Sequence, residues 1–300
     1  MGEINLRNKL NIGKTKFGIE IEFDETNLEN IRHVIENGVT IEKEDSYNHW
    51  IVKEDFSVTR GTLLGYTGGE VVSPILTDNY MCYQGISNAC SIIKLFGGQS
   101  SDLTSAQIHI DGDIIEENPK YLINIIKLWI AYEDIIYKFG YNGSTPRRAI
   151  NSYASPLVTY YSKLEDIEKC NTIPEILDII AHDRNYGINF KNLMNAYKKY
   201  NKRSLNTIEI RCPNGTLDPV VWQNIINFFV KLLLYAKSDD FDSKVVDGLL
   251  SDIKPPVNKI LYNNLVNEYS VVNIKKAESL SNLIFTDNVD KKRFLKQYKR

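Results

Sequence analysis

The chain has 300 residues, of which 43% are hydrophobic and 25% charged, and its formal net charge is −2 at pH 7. This length allows a sizeable core, and the composition excludes the disordered, collagen-like and disulfide-scaffold classes. A charge this close to zero gives no general basis for nucleic-acid binding, which needs a concentrated basic surface. We therefore expect a globular catalytic body without a nucleic-acid partner.

The first predicted element is a strand over residues 15–23, in which apolar side chains from Phe17 to Phe23 alternate with Gly18, Glu20 and Glu22. Successive side chains of a strand point to opposite faces, so Glu20 and Glu22 share the polar face. A helix is predicted over 27–37 and a second strand over 50–53. The first part of the chain thus predicts a sheet with one buried face.

The next elements are bounded by glycine, proline and capping residues. Gly68-Gly69 and Pro74 bracket a short strand that contains Glu70. Asp78 is a predicted N-cap for an amphipathic helix reaching about Phe96, and Gly97 supplies the left-handed residue that favours a helix end. Glu70 is therefore predicted to lie on a strand, like Glu20 and Glu22.

Alternation returns in two later segments. In 106–111, Gln107 and His109 lie opposite two isoleucines, and in 207–212, Glu209 and Arg211 share one face in the same way. Between these strands, a single long helix is predicted from Pro119 to about residue 139, closed by Gly140. Residues 143–156 are rich in turn formers and predict a surface loop, and the chain beyond residue 218 predicts only helices.

One-sided strands interspersed with long helices favour an α+β fold with a mainly antiparallel sheet and helices packed on its outer side. We predict an N-terminal segment over 1–14, a catalytic domain over 15–237 and a helical C-terminal extension over 238–300. The four cysteines are dispersed and form no C-x-x-C pair, which predicts buried, reduced thiols. The chain lacks a predicted leader or membrane span, so we expect a cytoplasmic protein.

The polar strand faces form a candidate site if the strands neighbour one another. Such a cluster would contain Glu20, Glu22, Glu70, Glu209 and His109, with more negative charge than a protein tolerates without cations. Carboxylate oxygens suit Mg²⁺ or Mn²⁺. Each motif also has a structural explanation: solvated Glu-x-Glu, a hydrogen-bonded His109, a Glu209–Arg211 salt bridge, and a turn shaped by Asp55 and Ser57.

Several motifs occur in an order that resembles the amidoligase family, relatives of glutamine synthetase and glutamate–cysteine ligase. They are FGIEIEF at 17–23, DFS at 55–57, GEVVSP at 69–74, QIH at 107–109, RRAINSYASP at 147–156, Arg184 with Gly187-Ile188-Asn189, and TIEIR at 207–211. The resemblance covers residues 15 to about 225. One departure is Gln107, which stands where the family commonly has the first histidine of His-x-His.

The resemblance implies a glutamine-synthetase-like catalytic funnel that binds ATP and divalent ions and joins a small-molecule or peptide carboxylate to an amine through an acyl phosphate. Its metal ligands would be Glu20, Glu22, Glu70, Glu209 and His109. Its nucleotide and substrate contacts would be Gln107, His109, Arg147, Arg148, Arg184 and Asn189. Arg211 would neutralise the transferring phosphate, and Asp55 and Ser57 would face the substrates.

Two other functions remain open from the residues alone. Clustered carboxylates with a histidine also describe two-metal phosphodiesterases and nucleases. A chain with Gln107 in place of a histidine could also be a catalytically silent, nucleotide-binding relative. The basic C-terminal residues from Lys291 to Arg300 predict either a contact with an anionic partner or a solvated helix end.

Overall fold

A computed structural model describes residues 6–38, 49–59, 67–148, 150–198, 205–254 and 265–300. Two compact units divide the chain: Met1–His109 with Pro213–Asn227, and Ile110–Cys212 with Phe228–Arg300. Parts of two predicted segments, residues 1–5 and 255–264, lie outside the described residues. The predicted boundaries at 14/15 and 237/238 stay predictions.

The first unit contains strands and two helices from the N-terminal third of the chain. Its elements are β1 (Phe17–Thr26), α1 (Leu28–Gly38), β2 (Ile51–Glu54), a 3₁₀ turn (Phe56–Val58), β3 (Thr67–Val72), α2 (Tyr80–Leu95) and most of β4 (Ala106–Asp111). The chain returns to this unit with the first half of α9 (Pro219–Ala236).

The second unit is mainly helical. Its elements are a 3₁₀ turn (Gly112–Ile115), α3 (Pro119–Ala131), α4 (Glu133–Tyr141), α5 (Ile150–Tyr153), a 3₁₀ turn (Leu157–Lys163), α6 (Leu164–Glu168), α7 (Ile173–Ile180), β5 (Ile188–Asn189), α8 (Lys191–Tyr197), β6 (Thr207–Ile210), the second half of α9, α10 (Ser243–Ser251), α11 (Ile274–Ile284) and α12 (Asn288–Tyr298).

The strands form one six-stranded sheet in the order β2-β3-β1-β4-β6-β5. The pairings of β1 with β3, β2 with β3 and β5 with β6 are antiparallel. The predicted α+β class with a mainly antiparallel sheet is therefore confirmed. The glutamine-synthetase-like funnel stays a prediction.

The buried face of the first unit's sheet explains why its strands alternate. Phe17, Ile19, Ile21 and Phe23 of β1 are all at most 2% exposed. Helix α1 contacts both β2 and β3 and packs against α2. Gly69 permits one close approach, since a Cβ atom there would lie 2.6 Å from Leu28 Cδ1 and 2.9 Å from the Lys53 carbonyl oxygen. The apolar face is therefore the core of this unit, and the polar face is left for other roles.

The N-cap of α2 is Asn79 and not Asp78 as predicted. Asn79 Oδ1 accepts a hydrogen bond from the Cys82 N–H at 3.0 Å. The carboxylate of Asp78 instead accepts the N–H groups of Leu10 and Ile12 and the hydroxyl of Tyr83. The Asp78 carboxylate is therefore occupied by backbone N–H groups near residue 10, and the N-cap is one residue later, at Asn79. The local sequence does not show this long-range contact. Gly97 ends the helix with φ +86° as predicted.

In the second unit, the single helix predicted from Pro119 to about residue 139 is two helices. Tyr132 breaks the helical path with φ −116° and ψ 19°, and its N–H donates to the carbonyls of both Leu128 and Trp129. Asn142, in the left-handed region, ends α4 where the sequence predicts Gly140. The apolar periodicity continues across the break, so the sequence pattern does not reveal it.

The core of the second unit is aromatic. Phe139, Phe228 and Phe294 lie with ring centroids 4.5 to 5.1 Å apart. Helix α12 ends at Tyr298, and beyond it Arg300 Nη1 donates to Asn142 Oδ1 at 3.0 Å. Three of the four cysteines, Cys82, Cys90 and Cys212, are buried thiols as predicted, whereas Cys170 is half-buried. None of the four forms a disulfide.

Within the described part of the chain, α9 is the one helix whose length and composition would permit a membrane span. Its candidate window is 72% buried inside the protein. Core helices of globular proteins meet the same criteria, so α9 is weak evidence for a span.

Candidate functional site

Eight of the predicted site residues fall into two sets, each within one compact unit. The first, the carboxylate cluster, consists of Glu20, Glu22 and Glu70 with Gln107 and His109. Glu22 and Glu70 are direct cross-strand partners on β1 and β3, so their side chains share a face. Like charges directly opposite each other destabilise a sheet unless donors or cations compensate. The surroundings of each carboxylate therefore decide what the cluster can do.

Glu22 is compensated by hydrogen-bond donors from the segment entering β4 and from β4 itself. Its Oε2 accepts the Ser105 N–H at 2.6 Å, while Oε1 accepts the Ser105 hydroxyl at 2.5 Å and Gln107 Nε2 at 2.6 Å. Both Glu22 and Gln107 are buried. The amide that replaces the expected histidine therefore donates directly to a predicted metal ligand.

Glu20 faces the other predicted ligand of β4. His109 Nε2 lies 3.1 Å from Glu20 Oε1, and both side chains are less than one fifth exposed. Glu20 meets residue 109 and Glu22 meets residues 105 and 107, a pattern expected for antiparallel strands. The predicted Glu20 and His109 are therefore brought together.

The proton affinity of Glu70 is altered by its surroundings. Burial, followed by the negative charge of Glu20, raises the pKa of Glu70, while the ammonium group of Lys53 lowers it. Lys53 Nζ lies 3.2 Å from Glu70 Oε1. The repulsion between Glu20 and Glu70 is an effect that a bound cation would relieve.

The donor set fits a hard divalent cation in its chemistry, because it offers carboxylate oxygens and one imidazole. Among the described residues, however, no group of three or more His, Cys, Asp or Glu side chains forms a ready metal site. Glu20 and Glu70 are the pair whose mutual repulsion favours a cation most directly. The individual metal ligands stay a prediction.

The second set, the arginine cluster, consists of Asn189, Glu209 and Arg211. Glu209 is buried, and its two oxygens accept separate donors: Arg211 Nη1 pairs with Oε1, and Asn189 Nδ2 donates to Oε2. Asn189 and Glu209 are cross-strand partners on β5 and β6. The salt bridge considered for Glu209-x-Arg211 is present, and Asn189 lies beside it.

Arg211 is held from three sides. Besides the contact with Glu209, its Nε donates to the Tyr153 carbonyl at 2.9 Å, and its backbone N–H donates to the Gly187 carbonyl at 2.8 Å. The guanidinium is planar and permanently charged, so these contacts fix both its position and its plane. Such a group is suited to hold an anionic ligand in one orientation.

The other predicted arginines differ in exposure. Arg147 is 4% exposed, and its charge partly offsets the burial that raises the pKa of Cys212. Arg148 and Arg184 are exposed. The predicted surface loop over 143–156 is therefore not uniformly at the surface. Exposure favours Arg148 and Arg184 over Arg147 for contact with a ligand from solvent.

Asp55 and Ser57 form a local turn in the first unit. Asp55 Oδ1 accepts the Ser57 N–H at 2.8 Å and caps the 3₁₀ turn that follows β2. Shaping a turn is the structural role that the sequence suggested for Asp55 and Ser57. The charge of Asp55 also raises the pKa of Glu70, so Asp55 acts electrostatically on the carboxylate cluster.

Sequence reasoning missed Glu133, a buried carboxylate at the start of α4. Its Oε1 accepts Trp129 Nε1 at 3.0 Å and the Leu157 N–H at 2.5 Å, and its Oε2 accepts the Val158 N–H at 3.0 Å and the Tyr269 hydroxyl at 3.1 Å. Burial raises the pKa of Glu133 to about 7, although its donors act to lower it. The acidic pair Glu133-Asp134 within an apolar helical run was the available signal.

Glu133 should make stability depend on pH. Its pKa lies near 7 in the folded chain against a usual value of 4.5, so the folded state binds more protons between those values. Its contribution to the free energy of unfolding is fully present below about pH 4.5 and falls as the pH rises to about 7, by about 3 kcal/mol. Glu133→Gln should remove this decline, measured as the difference between two urea-unfolding series across pH. Parallel pH profiles for the two proteins would contradict the assignment.

Comparison with solved structures gives similarity at low identity. Thirteen chains match, among them a bifunctional glutathione synthetase from Pasteurella multocida with a TM-score of 0.49 and 9% identity. The match covers 96% of this chain and 47% of that one, so this chain spans about half the length of that protein. No curated protein matches the sequence.

A protein-family model gives the family. The model described as "Putative amidoligase enzyme" matches residues 13–233, which is most of the chain and includes both the carboxylate and the arginine cluster. The match also spans the motifs on which the resemblance was based. The chain belongs to the amidoligase family.

Proposed function

We propose that this chain is an ATP-dependent carboxylate–amine ligase that works through an acyl phosphate with a divalent ion, Mg²⁺ or Mn²⁺. A substrate carboxylate oxygen attacks the γ-phosphorus of ATP and ADP leaves. The amine then attacks the acyl carbon, phosphate leaves, and the nitrogen loses a proton. The observation that carries the proposal is Arg211, fixed by Glu209 and the Tyr153 carbonyl in a chain of the amidoligase family.

The arginine cluster is suited to phosphoryl transfer. This reaction requires charge neutralisation and alignment more than a protein nucleophile. Arg211 can neutralise the transferring phosphoryl group without reorganising, since its guanidinium is already oriented. Asn189 and Glu209 keep that orientation, while the exposed Arg148 and Arg184 hold nucleotide phosphates or a substrate carboxylate.

The carboxylate cluster is suited to the metal. Glu20 and Glu70 would hold the ion, with His109 and Glu22 as further ligands, and Glu209 would act through its pairing with Arg211. A divalent ion bound there would supply charge neutralisation at the phosphates of ATP. Asp55 and Ser57 would face the substrates, which are a small-molecule or peptide carboxylate and an amine. We also propose that the protein is cytoplasmic and that its substrates bind in a funnel lined by the sheet.

One observation favours a second function. Both carboxylate oxygens of Glu22 accept hydrogen bonds from Ser105 or Gln107. A site that has exchanged a metal ligand for an amide donor could bind nucleotide without turnover. A catalytically silent, nucleotide-binding relative is therefore the second candidate, and it differs from the ligase in releasing no ADP.

The test measures ADP release from ATP and Mg²⁺ or Mn²⁺ with panels of amino acids, peptides and polyamines, together with mass detection of the conjugate. A ligase gives ADP and conjugate only when carboxylate and amine are both present. Nucleotide binding without ADP release on any panel would support the silent relative instead. Cleavage of nucleic acid or phosphodiesters without ATP would support the phosphodiesterase class.

The Arg211→Lys variant should keep nucleotide binding but slow turnover by about 100-fold, because an ammonium cannot reproduce the oriented planar guanidinium. The measurements are nucleotide affinity by calorimetry and steady-state ADP release. Arg184→Lys, at an exposed arginine of the same unit, is the matched comparison and should have a smaller effect on turnover. Equal steady-state rates for wild type and Arg211→Lys would contradict the role of Arg211.

A further inference from the structure

One face of α4 holds the segment that positions Arg211. Glu133 and Tyr137 are four residues apart, so they lie on the same side of the helix. Glu133 accepts the N–H groups of Leu157 and Val158, and the Tyr137 hydroxyl donates to the Ala154 carbonyl at 2.8 Å. Three contacts from one helix therefore fix residues 153–158, here called the 153–158 segment.

The 153–158 segment is also tied to the chain leading into β5. The Ser155 N–H donates to the Asn185 carbonyl at 2.7 Å, and the Gly187 N–H donates to the Ser155 carbonyl at 2.9 Å. Gly187 cannot carry a side chain here, because a Cβ atom would lie 2.2 Å from the Tyr137 hydroxyl. Tyr137 therefore packs directly against the backbone that bonds to Arg211.

Two backbone acceptors of Arg211 come from these two tied segments. The Tyr153 carbonyl accepts from its Nε, and the Gly187 carbonyl accepts from its backbone N–H. Glu133 is fully engaged by donors and too deeply buried to meet a substrate from solvent. Its effect on any reaction must therefore pass through the 153–158 segment.

We propose that Glu133 is a positioning residue that sets the orientation of the Arg211 guanidinium by anchoring the 153–158 segment, with Tyr137 as its partner on α4. The catalytic meaning of this anchor rests on the proposed function, in which Arg211 neutralises the transferring phosphoryl group. The anchor itself consists of hydrogen bonds within the chain. It is therefore testable with or without turnover.

The variant is Glu133→Gln, which keeps the side-chain size but replaces one acceptor oxygen by a donor. Since the donors are divided between the two oxygens, the amide must leave at least one backbone N–H of Leu157 or Val158 without an acceptor. The first readout is hydrogen exchange by NMR in the full-length chain. The Leu157 and Val158 amides and the Arg211 Nε–H should all exchange at least about 10-fold faster.

The control is Asp290→Asn, which disrupts the buried Lys231–Asp290 pair of the same unit. This variant should lose stability without a selective change in exchange at Arg211. Tyr137→Phe is a second test variant, since it removes only the bond to the Ala154 carbonyl and keeps the ring. It should accelerate Arg211 Nε–H exchange in the same direction, even if Glu133→Gln does not fold.

The second readout is turnover, with Arg211→Lys as the reference. Glu133→Gln should lower kcat by roughly 10-fold with little change in KM for ATP, the size typical of residues that support a functional group. The double variant should be no slower than Arg211→Lys alone, because the anchor acts through the guanidinium. A merely structural role would slow both backgrounds by the same factor and would overturn the proposal.

The two hypotheses fail in different ways. Absence of ADP release from the wild type, with faster Arg211 exchange in Glu133→Gln, removes the ligase and leaves the anchor intact. Unchanged Arg211 exchange in both Glu133→Gln and Tyr137→Phe overturns the anchor, whatever the wild type catalyses.

Discussion

Replacing Glu209 by glutamine should abolish metal-dependent ADP release while leaving the chain folded. The wild-type carboxylate accepts from Arg211 on one oxygen and from Asn189 on the other. A glutamine amide would direct its NH₂ group at one of these two donors and would remove the ion pair with Arg211. We expect turnover to fall at least about 100-fold, the cost typical of misplacing one group that stabilises the transition state.

The loss should come from the site and not from unfolding. Losing one buried hydrogen bond costs about 1–3 kcal/mol, which a chain of this size should tolerate. The measurements are ADP release and circular dichroism at the same temperature. Glu165→Gln is the matched control, because Glu165 is 82% exposed and pairs with Lys169 at the surface. A Glu209→Gln enzyme with normal turnover would remove Glu209 and its pairing with Arg211 from the proposed site.

Most of what could be predicted from the sequence depends on the alternation of apolar and polar side chains along the strands. A period of two is a local property, so the buried face of β1 and the shared faces of Glu20 with Glu22 and of Gln107 with His109 follow from residue order alone. The contacts across strands also agree with those faces, as in the pair of Glu20 with His109. The family was inferred from the order of motifs and is confirmed by the family model over residues 13–233.

Long-range partners explain what local sequence could not predict. Asp78 has the chemistry of an N-cap, yet its carboxylate binds backbone N–H groups near residue 10, and Asn79 caps α2 instead. Glu133 forms an acidic pair with Asp134 in an apolar helical run, but three of its four donors come from residues 24 to 136 positions away. The helix break at Tyr132 could not be predicted from the sequence either, because the apolar periodicity continues unchanged across it.

Gln107 also has a structural role that its position in the motif did not predict. As a departure from His-x-His it suggested a weaker metal ligand. In the structure its amide donates to Glu22, so the substitution supplies compensation for a buried carboxylate. The three acidic residues are therefore unequal: Glu22 is satisfied by donors, whereas the charge of Glu20 still raises the pKa of Glu70. We therefore expect Glu20 and Glu70, and not Glu22, to be the main ligands of a metal ion.

Glu20→Gln should therefore weaken metal binding more than nucleotide binding. The substitution keeps the side-chain size and removes the charge that faces both His109 and Glu70. We expect the Mn²⁺ or Mg²⁺ concentration for half-maximal ADP release to rise by about 10- to 100-fold, with turnover abolished at ordinary concentrations. Mn²⁺ binding, followed by electron paramagnetic resonance without any substrate, should weaken by a similar factor.

The metal-free variant provides an independent check on the same charge. Because the charge of Glu20 raises the pKa of Glu70, its removal should lower the pKa of Glu70, as measured by ¹³C NMR titration of the carboxyl group. Glu29→Gln, at a residue that is 78% exposed and pairs with Arg32, is the control in the same unit and should change neither quantity. If Glu20→Gln bound Mn²⁺ as tightly as the wild type, the cation would have to be held elsewhere. A lower Glu70 pKa with unchanged Mn²⁺ affinity would then mean that the repulsion between the two carboxylates is real but serves no metal site.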